Sequence, residues 1–143
     1  MVHRYFIVFC LSFICITSAF AEDIVVVVNK KNIVNQLSRD EVIDIFMGRN
    51  RLLSSGVTAL PLDLPSTAIE REHFYFRLTG KSMNQINAYW ARLILTGRAS
   101  PPMLMHSQEE AMQMVTDNHS AVGYVNRIKA SPQVKTVFEL NEK

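Results

Sequence analysis

The chain has 143 residues, with 15 Lys and Arg against 13 Asp and Glu, so its net charge is about +2 and its basic residues are scattered rather than run together. That balance excludes an electrostatic grip on nucleic acid, and the length allows one domain with one core.

The first 21 residues differ from the rest. His3 and Arg4 precede an apolar run from Tyr5 to Ile16, and Thr17-Ser18-Ala19-Phe20-Ala21 follows, with small residues at Ala19 and Ala21. This pattern predicts a secretory signal peptide over 1–21, with cleavage before Glu22. The run is too short for a membrane span, which needs about 20 apolar residues; a retained N-terminal anchor is the alternative. Cys15 follows Ile14, where a lipoprotein signal needs a small residue. Both cysteines, Cys10 and Cys15, belong to this segment, so the expected mature domain, 22–143, has neither disulfide nor thiol chemistry. An exported bacterial chain of this kind is expected in the periplasm.

Along the predicted domain, DIVVVVN (Asp23 to Asn29) is a β-branched run without polar alternation, the mark of a strand covered on both faces. Ser38-Arg39-Asp40-Glu41 reads as a capping box opening a helix that carries Val42, Ile45 and Phe46 and stops at Gly48. Val57 to Leu62 suits a second strand. A helix is expected from Thr67 toward Gly80, with Glu70 three positions on to complete another box, and with Ile69, Phe74 and Leu78 facing inward. Ser82-Met83-Asn84-Gln85 opens a further helix whose inward residues are Ile86, Tyr89, Trp90, Leu93 and Ile94. A Pro-bearing link, Arg98 to His106, leads to a short helix from Ser107 with Ala111, Met114 and Val115; AVGYV (Ala121 to Val125) and Val134 to Leu140 are strands. Strands separated by helices predict one three-layer α/β lobe.

Catalytic constellations are scarce. His73, His106 and His119 are widely spaced and lack ligand partners, so no metal or other cofactor is expected. Ser66 lacks a glycine-flanked elbow, and the acid pairs Asp40-Glu41 and Glu109-Glu110 sit where they favour helix dipoles. No enzyme is predicted. The remaining chemical candidate is Pro65-Ser66-Thr67, where two hydroxyls at a helix start can serve either free N–H groups or an oxyanion. Capping is the commoner use of such a pair.

Several segments, taken in order, resemble periplasmic phosphate-binding proteins. LSRDEVIDIFMGR (Leu37 to Arg49) is similar to the segment that opens that family's second lobe, and IVVVVN to the strand that crosses between lobes. AVGYV resembles the strand near the return crossing. DLPSTAIEREHF (Asp63 to Phe74) occupies the place of the phosphate-contacting segment. A short branch of the superfamily also shows the run seen here as Tyr89-Trp90, Thr96-Gly97-Arg98 and Pro101-Pro102. The likeness spans Ile24 to about Asn126. It implies a single three-layer lobe of the type 2 periplasmic-binding-protein fold, a central, mostly parallel sheet flanked by helices, and a place beside phosphate uptake by an ABC transporter. It also implies Ser66 and Thr67 as hydroxyl ligands; Arg71, one helical turn further in, joins them as a candidate ligand from its position alone, able to compensate Asp63 if its side chain folds back toward the helix start.

The departures from the pattern bear on function. The glycine between the two hydroxyls is missing, and Asp63-Leu64-Pro65 stands where the family has an arginine-bearing approach. A free carboxylate about 4 Å from a dianion costs on the order of a few kcal/mol. The first lobe is absent. Two expectations of different class follow. One is an exported solute-binding-like protein taking phosphate or another small anion weakly and serving an ABC transporter permease, or pairing as a homodimer to rebuild a cleft. The other is a periplasmic interaction or sensory module, working with a membrane sensor, that has given up its ligand.

Overall fold

The computed structural model describes residues 23–140; the signal peptide expected over 1–21 lies outside the described residues. The elements are β1 (Ile24–Asn29), α1 (Arg39–Phe46), β2 (Leu60–Asp63), α2 (Ile69–Thr79), α3 (Met83–Leu95), β3 (Met103–Leu104), α4 (Gln108–Asp117), β4 (Ala121–Asn126), a single 3-10 turn at Arg127–Lys129, and β5 (Val134–Glu139). No helix among them is long and apolar enough to cross a membrane.

The five strands form one sheet in the order β3-β2-β4-β1-β5. β2 runs parallel to β3 and β4, whereas β1 runs antiparallel to both β4 and β5. The anticipated α/β lobe is present, and its sheet is mixed. The run Ile24 to Val28 is fully buried, which fits its unbroken β-branched composition: residues of both parities are covered. Each such side chain contributes about 1.5–3 kcal/mol relative to exposure.

Successive residues of β4 show which helices cover which face. A Cβ on Gly123 would lie 3.3 Å from Val115 of α4, so that side is packed by α4. Tyr124, pointing the other way, stacks on Phe74 of α2 at 3.9 Å and meets Phe46 of α1 edge-on at 5.8 Å. Helices therefore cover both faces, the three-layer arrangement.

Four local expectations change. The second strand starts at Leu60, because Thr58 is drawn into a bridge with Leu52. Met103–Leu104, inside the presumed link, adds a short strand beside β2. Helix α2 starts at Ile69, not Thr67: Ala68 N–H donates to Pro65 O at 2.9 Å, closing a turn over Ser66 and Thr67, and the box with Glu70 does not form. Ile69 and Ile94 face outward: Ile69 is the first residue of α2, whose buried face starts at Arg71, and α3 lies at the rim of the lobe and buries only Ile86 and Trp90. The capping boxes at Ser38 and Ser82 form as expected.

Candidate functional site

The parallel strands β2, β3 and β4 point their C-terminal ends the same way, and α2 and α4 begin just beyond β2 and β3. Crevices at this end of open α/β sheets are where ligands bind as a rule. Ser66 and Thr67 sit there, exposed, in the turn before α2. The N-cap of α2 is Ala68, whose side chain has no acceptor, so no cap side chain occupies the first N–H groups of the helix.

Directly beneath lies a buried polar centre built on Asp63, the last residue of β2. Its Oδ2 accepts from Arg71 Nε at 3.1 Å and from the Tyr75 hydroxyl at 3.2 Å. Its Oδ1 accepts from the Tyr124 hydroxyl at 2.6 Å and from Leu64 N–H at 2.9 Å. Helical spacing explains the convergence: Arg71 and Tyr75, four apart, share the inner face of α2. Arg71 does fold back toward the helix start, as an anion ligand would have to, and there it meets Asp63. Its Nη1 also approaches Met83 Sδ at 3.1 Å and Asn87 Oδ1 at 3.4 Å on α3.

The electrostatics follow from burial. Burial alone would lower the Arg71 pKa, but the charge and hydrogen bond of Asp63 outweigh it and the value is raised. The Tyr75 and Tyr124 hydroxyls are pushed well above 10.0, first by burial and then by the adjacent Asp63 charge. The carboxylate that looked repulsive in the sequence is therefore matched by a guanidinium and capped by three neutral donors. Its partners lie 8, 12 and 61 residues away, and only the first two are legible from helical spacing.

A second tie joins the two helix starts. Gln108, the first residue of α4, donates from Nε2 to Glu70 Oε1 at 2.9 Å and accepts from Asn126 N–H at 2.7 Å. Sequence reading missed Gln108, whose side chain looked like one more polar residue in a helix start. The Asn126 amide oxygen is buried at the end of β4 with no partner among the described residues. His106 folds onto Glu110, its N–H and Nδ1 lying 2.5 and 2.9 Å from Oε2. That contact, led by the backbone bond, lowers the Glu110 pKa. Among the described residues no three His, Cys, Asp or Glu side chains group as a metal site.

A cavity of about 550 Å³ lies elsewhere: an open groove between residues 35–38 and β5. Its position along a sheet edge, lined by a loop that already donates Leu37 N–H to Val137 O, marks it as a gap beside that edge rather than a closed pocket.

The sequence matches no protein-family model and no curated protein. Its structure is similar to solved ones. An ABC-type phosphate transport receptor from Vibrio cholerae aligns with a TM-score of 0.64 at 18% identity, over 80% of this chain and 45% of that one. A putative phosphate ABC transporter substrate-binding protein with bound phosphate, from Clostridium perfringens, aligns with a TM-score of 0.64 at 15% identity, over 80% of this chain and 44% of that one. The chain thus spans under half the length of either receptor. It has the periplasmic-binding-protein fold of phosphate ABC transporter substrate-binding proteins, over a portion the size of a single lobe.

Proposed function

We propose that the protein is an exported, solute-binding-like lobe, with a signal peptide over 1–21 and one domain over 22–143, that takes phosphate or a similar small anion weakly at the start of α2. One observation carries this reading: α2 opens without a capping side chain while Ser66 and Thr67 stand exposed in the turn before it, at the C-terminal end of β2. Free N–H groups and the positive helix end favour an anion there. Arg71 serves from below by neutralising Asp63, which removes a repulsive charge from the floor of the site. Ser66 and Thr67 are open to water in this lobe, and charge-assisted hydrogen bonds gain strength from desolvation, so the affinity of the lobe by itself is low.

Isothermal titration with phosphate tests the reading. Saturable heat that disappears in Ser66→Ala/Thr67→Ala is expected; no heat at millimolar phosphate removes it.

The alternative is an interaction or sensory module that no longer holds a ligand. It is favoured by Glu70 and Glu72 in the first turn of α2, which add negative charge where an anion would sit, and by the engagement of Arg71 with Asp63. Whether the partner is a transporter permease, a membrane sensor or a second copy forming a homodimer is read by recovering the protein from cell envelopes after cross-linking.

A further inference from the structure

Helix α3 carries more apolar surface than it buries. Ile94 is 54% exposed and Leu95 87%, both in its last turn. Four arginines gather around that end. A Cβ on Gly48 would lie 2.9 Å from Trp90 Cη2 and 3.3 Å from Ala99 Cβ, so the turn after α1 rests on α3 and the link that follows it. That contact sets the chain at Arg49, which follows Gly48, on the same corner as Arg98, which precedes Ala99. The Tyr89 hydroxyl donates to Met47 O at 2.7 Å, and the Arg92 guanidinium lies over the Tyr89 ring at 6.0 Å. Arg51 donates to Ser100 O at 2.6 Å.

The corner is also free of opposing charge. Both segments that build it lack acidic residues: none occurs between Asp44 and Asp63, and none between Glu72 and Glu109. Among the described residues Arg49, Arg92 and Arg98 form no ion pair. Asp44, at the rim, faces a cavity of about 70 Å³ shared with Glu41 along α1.

We propose that this corner docks on an anionic phospholipid surface, with Ile94 and Leu95 entering the headgroup region and Arg49, Arg92 and Arg98 meeting lipid phosphates. Aliphatic side chains at a helix end, ringed by long cations whose stems lie along apolar surface, match the interface of a charged bilayer. A second copy of the chain is disfavoured there, because a two-fold contact would set the arginines of one copy against those of the other. A protein partner would need acidic groups placed opposite each arginine, whereas a charged bilayer offers phosphates at any spacing. The inference is independent of phosphate binding at Ser66 and Thr67.

The test is co-sedimentation of the processed protein, residues 22–143, with vesicles of phosphatidylcholine alone or mixed with phosphatidylglycerol. Binding to the anionic vesicles is expected, falling with added salt and dropping at least about tenfold in Arg92→Glu/Arg98→Glu and in Ile94→Gln/Leu95→Gln. All four positions are exposed, and circular dichroism melts verify that the variants fold. Trp90, the only tryptophan, lies one turn before Ile94 and gives a local readout: brominated anionic lipid should quench it in the parent and not in the variants. Equal binding to neutral vesicles, or anionic binding unchanged in both variants, overturns the proposal. So does capture of an acidic protein by the same corner without vesicle binding.

Discussion

Arg71 reaches back beneath the start of its own helix and meets Asp63 at 3.1 Å, with the two side chains only 10% and 9% exposed. A buried pair of this kind gains little over an apolar replacement, but removing one partner strands the other charge. Arg71→Ala should destabilise the fold by about 3–5 kcal/mol, and Asp63→Ala by a similar amount. The double variant should cost well under the sum of the two. Urea unfolding of the three proteins measures this; two additive losses below about 1 kcal/mol would show that the pair is not coupled.

The same centre makes the fold sensitive to alkali. Tyr75 and Tyr124 have raised pKa values in the folded state, because burial and Asp63 disfavour their anions. Each therefore binds its proton more tightly when folded than when unfolded. Its contribution is fully present below about pH 10 and is lost as pH rises through the folded-state value. Stability measured from pH 8 upward should be flat and then fall beyond pH 10. Spectrophotometric titration should show two of the four tyrosines ionising only with unfolding. Tyr75→Phe should flatten the alkaline fall while lowering stability at neutral pH, since one donor to Asp63 is gone.

Gly48 is held at φ +70°, where L side chains are strained, and its missing side chain is the space that Trp90 and Ala99 occupy. Gly48→Ala adds both penalties. We expect a loss of roughly 1–3 kcal/mol and a changed Trp90 fluorescence, whereas Gly56→Ala, also at positive φ but in open space, should cost less. Equal losses at the two sites would mean that backbone strain alone decides.

Glu70 stands in the first turn of α2 and its carboxylate accepts from Gln108. Glu70→Gln keeps an acceptor for that bond and removes a negative charge beside Ser66 and Thr67. If the helix start holds an anion, phosphate should bind a few-fold more tightly, in keeping with the 0.3–1 kcal/mol that a charge is worth near a helix end. Titration calorimetry in low salt reads the difference, and weaker binding would place the anion elsewhere.

Much of the lobe is legible along the chain. The uninterrupted Ile24–Asn29 run, the boxes at Ser38 and Ser82, and AVGYV each form the expected element, because their signals are local. The direction of β1 is not local: it depends on the path of the connections, and composition is the same whichever way a strand runs. Met103–Leu104 was hidden for a related reason, since two residues after a pair of prolines join a sheet only because β2 offers an edge. For Ile94, helical periodicity marks a face correctly, yet the neighbours that would cover it stop short of the last turn of α3. At the candidate site, the hydroxyl pair and the backward reach of Arg71 could be anticipated. The full set of donors around Asp63 could not, because Tyr124 lies on a strand 61 residues later.

The paired strands β1 and β5 bring the two limits of the described chain together. Leu140 N–H donates to Ile24 O at 3.2 Å, and Arg127, at the end of β4, donates from its backbone to Asp23 O. Entry and exit share one doorway, so the lobe behaves as a cassette: joining Asp23 to Leu140 through a short flexible loop leaves every strand pairing intact. New ends opened at exposed Ser54 would then yield a permuted protein with the same core, and the lobe could be spliced into a loop of a carrier without spreading that loop's stems.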